Sequence, residues 1–155
     1  MKHFIPFLLF ILLFVSCKNS IETTTSMVRP PFEGIDVPFT SYQINPNEET
    51  TLHTERGTLI TIPANVIVNE AGELVKEQVT INYRPLHSSA EIITSGIPMS
   101  YDSLGQDYDF ISAGMFELTA NVQGEEVFVK EGASIDMEFA TFNEDSGFSF
   151  YTLDE

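Results

Sequence analysis

After its first sixteen residues this chain keeps no 3.6-residue apolar period for as long as ten residues, whereas several stretches alternate apolar and polar side chains with a period of two. Val79, Ile81 and Tyr83 alternate with Thr80, Asn82 and Arg84; Phe116, Leu118, Ala120 and Val122 with Glu117, Thr119 and Asn121; Ile135, Met137 and Phe139 with Asp136 and Glu138. A period of two buries one face of a strand and wets the other, the pattern of antiparallel sheets. Further strands are expected at 38–44, 50–54, 58–62, 91–94, 126–130 and 148–153. Turn-forming residues separate them: Asn45-Pro46-Asn47, Arg56-Gly57, Asn69 to Gly72, Gly96, Leu104-Gly105, Gln123-Gly124, Glu131-Gly132 and Asp145-Ser146-Gly147. There is no internal repeat. Short strands at this spacing predict an all-β fold, an antiparallel β-sandwich over residues 35–155. A domain of this size buries enough of its surface to need no disulfide staples.

The amino terminus has a different character. Met1-Lys2-His3 leads into an apolar run from Phe4 to Val15, then Ser16-Cys17. A positive start, a short apolar stretch and a small residue before the cut make a secretory signal, which enters the translocon as a helix. Twelve residues fall short of the ~20 that a membrane-spanning helix needs. Phe14-Val15-Ser16-Cys17 resembles the bacterial lipobox, with Phe14 in place of the usual Leu. The resemblance implies removal of residues 1–16, a diacylglycerol thioether on Cys17 and acylation of the new amino terminus. Two or more acyl chains make such anchoring stable where one is marginal. Lys18 does not match the Asp that retains lipoproteins at the inner membrane in enteric bacteria, so the outer membrane is the expected location. Residues 17–34 are polar, Thr- and Ser-rich and carry Pro30-Pro31; they read as an extended tether of roughly 20–25 Å.

Charge limits the partners. The formal net charge is −16, and loss of Lys2 with the signal leaves −17. Such a surface disfavours nucleic acid and anionic headgroups, whose binding rests on Lys and Arg neutralising phosphate. It is also the ordinary surface of an exported soluble domain. With a single cysteine, Cys17, no intramolecular disulfide can form.

Two sets of phrases carry a resemblance for the folded part. Gly57–Asn65, GTLITIPAN, with Ile62-Pro63-Ala64 after an apolar strand, is similar to the opening of ZU-type β-sandwich domains of ankyrins, netrin receptors and tight-junction scaffolds. IITSGIPM (Ile92–Met99), SAGMFEL (Ser112–Leu118) and FYTLDE (Phe150–Glu155) resemble runs in large lipoproteins of Gram-negative bacteria. The likeness covers about residues 55–155. It implies the sandwich fold and a place in the cell envelope, and it assigns no active residues. Those lipoproteins continue past the Leu-Asp-Glu phrase, so this chain is expected to be the N-terminal part of a longer protein rather than a shortened relative.

Few residues suggest chemistry. Some ZU-type domains cleave themselves at His-aromatic-Ser; His87-Ser88-Ser89 lacks the aromatic and is expected in a solvated loop after Arg84-Pro85. Asp102, Asp107 and Asp109 surround Gly105 and are candidates for a calcium loop, although their spacing is not that of an EF-hand and a plain hairpin loop is the leading expectation; the acidic turn from Asn143 to Gly147 is a lesser candidate. Glu117, Asp136 and Glu138 fall on wet strand faces, unlike the facing carboxyls of a glycosidase cleft. No phosphate loop, zinc-ligand pair or nucleophile elbow is present. No cofactor is expected. The leading expectation is a lipid-anchored structural or binding module with the membrane as its first partner. Carbohydrate or peptide binding is an alternative, resting on Tyr101, Tyr108 and Phe110 beside the acidic loop. An enzyme, including a self-cleaving one, would need His53 or His87 buried beside a carboxylate in a pocket.

Overall fold

A computed structural model of the chain describes residues 28–143 and 147–152; of Asp102 only the backbone is described. Cys17, the lipobox and the signal segment lie outside the described residues, as does most of the tether. The described part is antiparallel and mostly β.

The first sheet centres on the longest alternating segment. β5 (Val79–Leu86) lies between β1 (Thr40–Ile44) and β8 (Met115–Val122), and β9 (Glu125–Glu126) pairs antiparallel with the end of β8. Val79, Ile81 and Tyr83 are buried on its inner face, as the alternation requires. On the outer face, direct cross-strand partners are tied by side-chain hydrogen bonds: Ser41 Oγ donates to Asn82 at 2.8 Å, and Gln43 Nε2 to the Thr80 hydroxyl at 2.8 Å. Arg84 also belongs to this face but is buried. Its guanidinium donates to both Asp36 oxygens at 2.6 Å and to Glu117, and lies 4.6 Å over the Phe39 ring. Those partners answer the charge that burial would otherwise leave unpaired.

A second sheet runs β11 (Asp136–Glu138), β3 (Leu59–Ile62), β2 (Thr50–His53), and a two-stranded ladder pairs β10 (Phe128–Val129) with β4 (Ile67–Val68). Ile60 faces Leu52 on one side and Met137 on the other across the ladder. Residues from both sheets share one core: Ile44, Val79, Ile81 and Tyr83 from the first, Leu52, Ile60 and Ile62 from the second, with Ile67, Val75 and Val127. One polar contact spans that core. The Tyr83 hydroxyl donates to Thr58 Oγ1 at 3.0 Å, and the same oxygen accepts the Ala140 amide at 3.1 Å.

Three expectations from the sequence need correction. Residues 91–94 are not a strand but belong to a helix, α1 (Ser89–Ser95). The Ile92-Ile93-Thr94 run has strand propensity, yet Ser88 and Glu91 form a capping box ahead of it, and capping outweighs propensity over two turns. Gly96 ends the helix at φ 77°, and a Cβ there would stand 2.1 Å from the Arg29 carbonyl carbon, so only glycine fits. The 126–130 segment is split at Val127. Its amide donates to Ala120 in the first sheet, while the Lys130 amide donates to Val66 beside β4, so the chain changes sheets there. Phe148–Thr152 form no strand: no ladder neighbour receives them among the described residues, and Phe150 and Tyr151 are exposed. The acidic segment forms a hairpin, β6 (Ser100–Ser103) with β7 (Gln106–Asp109), about the Leu104-Gly105 turn.

Candidate functional site

The β6–β7 hairpin stands apart from the two main sheets as its own two-stranded ribbon. Its turn is Leu104-Gly105, with φ 57° and 80°. Two successive positive φ values are those of a type I′ turn, whose twist matches that of paired strands. The ladder sets Ser100 opposite Asp109, Tyr101 opposite Tyr108, Asp102 opposite Asp107 and Ser103 opposite Gln106.

Alternation then separates residues that are adjacent in sequence. Tyr101, Tyr108, Ser103 and Gln106 share one face; Asp107 and Asp109 lie on the other. Phe110 continues the aromatic face, its amide donating to the Met99 carbonyl at 2.7 Å. The rings form a contiguous group: Tyr101 stacks on Tyr108 at 5.4 Å, Tyr101 meets Phe110 at 4.6 Å, and Phe110 meets Tyr151 at 5.6 Å. These spacings are those of interacting aromatic pairs. The group is nevertheless open to solvent: Tyr101 and Tyr108 are 44% and 42% exposed and Tyr151 is 77% exposed. Tyr151 escaped the sequence reading, since nothing local links it to a hairpin more than forty residues earlier.

Asp107 and Asp109 are exposed and make no ion pair among the described residues. Among the described residues no cluster of three His, Cys, Asp or Glu is placed to hold a metal, the Asp102 side chain lying outside them. The aromatic and acidic candidates, read from the sequence as one loop, thus present two separate surfaces.

His87 differs from its expectation too. It follows β5 directly, and both ring nitrogens are buried without a hydrogen-bond partner. The ring stacks on Phe139 at 5.1 Å and meets the edge of Phe142 at 5.7 Å. Its ring nitrogens are therefore covered by aromatic packing, although the residue as a whole is half-buried. Burial first, and then the Arg56 charge, holds its pKa below the usual 6.5. Ser88 is in ordinary extended backbone, φ −112° and ψ 154°, and its hydroxyl accepts the Glu91 amide at 3.2 Å. His53 is exposed at the end of β2.

Glu91 ties these parts together. Its carboxylate pairs with Arg56 at 2.8 Å and accepts the His87 and Ser88 amides at 2.8 and 3.0 Å. The Arg56 hydrogen bond, followed by those amides, holds its carboxyl at about 2, against 4.5 ordinarily. Both Glu91 and His87 have folded-state pKa values below their unfolded ones, so in each case the unfolded chain binds protons first and acid destabilises the fold. The His87 contribution is whole above pH 6.5 and is lost as pH falls below it; that of Glu91 is whole above 4.5 and is lost as pH falls toward about 2. Thermal melts from pH 8 to 3 are expected to decline in two stages, with His87→Phe removing the upper one. At neutral pH, Glu91→Ala should cost about 1–2 kcal/mol through the lost cap, and Glu91→Gln less, since Gln also serves in a capping box. A single acid transition unchanged in His87→Phe would contradict this account.

Two hollows mark the surface. One beside Tyr42, Thr54, Arg56 and Tyr83 encloses about 160 Å³, below the roughly 300–1,000 Å³ of small-molecule sites. The other, about 660 Å³, has that size but is an open dish between the Asn69–Ala71 turn and Glu125, Glu126 and Phe128. The hairpin's aromatic face, being open, exposed and internally braced, is the stronger candidate for recognition. Comparison with protein-family models, with curated proteins and with solved structures found no match to this chain.

Proposed function

We propose that this chain is a lipid-anchored exported protein whose folded part is an antiparallel β-sandwich acting as a binding module on the cell envelope. The observation that carries the binding role is the exposed aromatic face of the β6–β7 hairpin. Solvent-exposed aromatic surface lowers solubility unless it is used, and side chains stacked on one another lose little freedom when a partner docks. The sandwich reading is supported by the single core to which both sheets contribute, and by the likeness of Gly57–Asn65 to the ZU-type opening. The anchor reading rests on Phe14-Val15-Ser16-Cys17 after a twelve-residue apolar run, and the outer membrane on Lys18 after the cysteine.

Metabolic acyl labelling and membrane fractionation in a Gram-negative host test the anchor. The wild-type protein is expected to carry label, to lose residues 1–16 and to sediment with the outer membrane. Cys17→Ala should lose both label and membrane association. A wild-type protein without label, or a Cys17→Ala variant that stays in the membrane fraction uncleaved, would reject lipidation.

A further inference from the structure

We infer that the aromatic face of the β6–β7 hairpin is a docking face for an uncharged glycan, one sugar ring lying against Tyr101 and Tyr108 while hydroxyls of its neighbour meet Ser103 and Gln106. The inference rests on the binding-module reading and names its ligand class.

Three observations select that class. First, the ladder places Ser103 and Gln106 opposite each other, exposed, on the same face as the tyrosines and toward the turn. Two residues along a strand span roughly 7 Å, so a ligand longer than one ring would reach both the tyrosine pair and the polar pair. A hydroxyl and a carboxamide both donate and accept, which suits a ligand whose every hydroxyl does the same. Second, the charge of the ribbon is on the other side: Asp107 and Asp109 alternate away from the rings. A basic peptide would be better met by carboxylates beside the rings, where Coulomb attraction and the ring quadrupole act together. An anionic polysaccharide would meet a chain of net charge −16 with repulsion. An uncharged ligand incurs neither disadvantage. Third, the tyrosines are already stacked at 5.4 Å and braced by Phe110, so their exposed ring surface and hydroxyl rims are held in place before any ligand arrives. The C–H face of a pyranose is apolar and its equatorial rim polar, which complements that surface.

Affinity electrophoresis of the full-length protein, in a detergent without a sugar headgroup, tests this. The gels would contain soluble β-glucan, galactomannan, xylan, dextran or starch, with polygalacturonate as the anionic comparison; oligolysine binding would be followed separately by tyrosine fluorescence. At least one neutral polysaccharide is expected to retard the protein, and polygalacturonate to leave it unretarded. Tyr101→Ala and Tyr108→Ala should each weaken retardation about tenfold, and Gln106→Ala several-fold. Because the alanine variants can loosen the hairpin, Tyr101→Phe and Tyr108→Phe provide a second test: they keep the stacked rings and should keep most of the binding. Asp107→Asn and Asp109→Asn should change nothing. The glycan assignment is overturned if no neutral polysaccharide retards the protein, or if retardation survives Tyr101→Ala and Tyr108→Ala unchanged. Oligolysine binding abolished by Tyr101→Ala, without glycan binding, would overturn the glycan and leave the binding module standing. Binding of neither would reject both.

Discussion

Tyr83→Ala is expected to lower the unfolding free energy by about 3–5 kcal/mol, against about 1 kcal/mol for Tyr83→Phe. Tyr83 is 1% exposed at the centre of the first sheet, so its ring leaves a cavity that the surrounding strands can fill only in part. Its hydroxyl is a smaller matter with a sharper signature. Thr58 Oγ1 accepts both that hydroxyl and the Ala140 amide. Thr58→Val keeps the shape and removes the acceptor, leaving two donors without partners at a fully buried residue. About 2–4 kcal/mol should be lost, because an orphaned buried donor costs more than a made bond contributes. In the Thr58→Val background, Tyr83→Phe should then be nearly neutral or stabilising, since it removes a group already stranded. Urea unfolding followed by circular dichroism measures this cycle. Additive single and double losses would show that the two hydroxyls act independently and that no inter-sheet tie exists.

Ile60→Ala should cost about 2–5 kcal/mol and Ile60→Val about 0.5–1.5 kcal/mol. Ile60 is wholly buried in β3, with Leu52 and Met137 as its cross-strand partners. Ile93 is the natural comparison. It is also an isoleucine in an apolar run, but it lies on α1 at 58% exposure, and Ile93→Ala should stay within about 0.5 kcal/mol. Comparable losses at both positions would mean that the core is not where the two sheets meet.

The contrast between these two isoleucines shows where sequence reading stops. Alternation located β5 and β8 and the inward faces of both, because a half-buried strand has to repeat every second residue. The dipeptide Leu104-Gly105 marked its turn, because the type I′ geometry needs two positive φ values. The capping box at Ser88 and Glu91 is also a local signal, and it prevails over the strand propensity of the β-branched run that follows it. The same alternation, applied to residues 100–109, divides the tyrosines from the aspartates with no help from tertiary contacts.

Other features had no local cause to read. That β5 is central, between β1 and β8, follows from which apolar faces could meet, and strands thirty or more residues apart carry no mark of their pairing. The change of sheets at Val127 exists because Ala120 and Val66 each offer a carbonyl at the right place. The burial of His87 depends on Phe139 and Phe142 arriving over fifty residues later, and the aromatic face acquires Tyr151 in the same way. The sequence by itself determined strand-forming segments, their inward residues and their turns, since these depend on neighbours within a few residues. The tertiary structure alone decided strand order, the inter-sheet hydroxyl tie and the grouping of the exposed rings, since each is a contact between segments whose only common cause is burial of the same apolar surface.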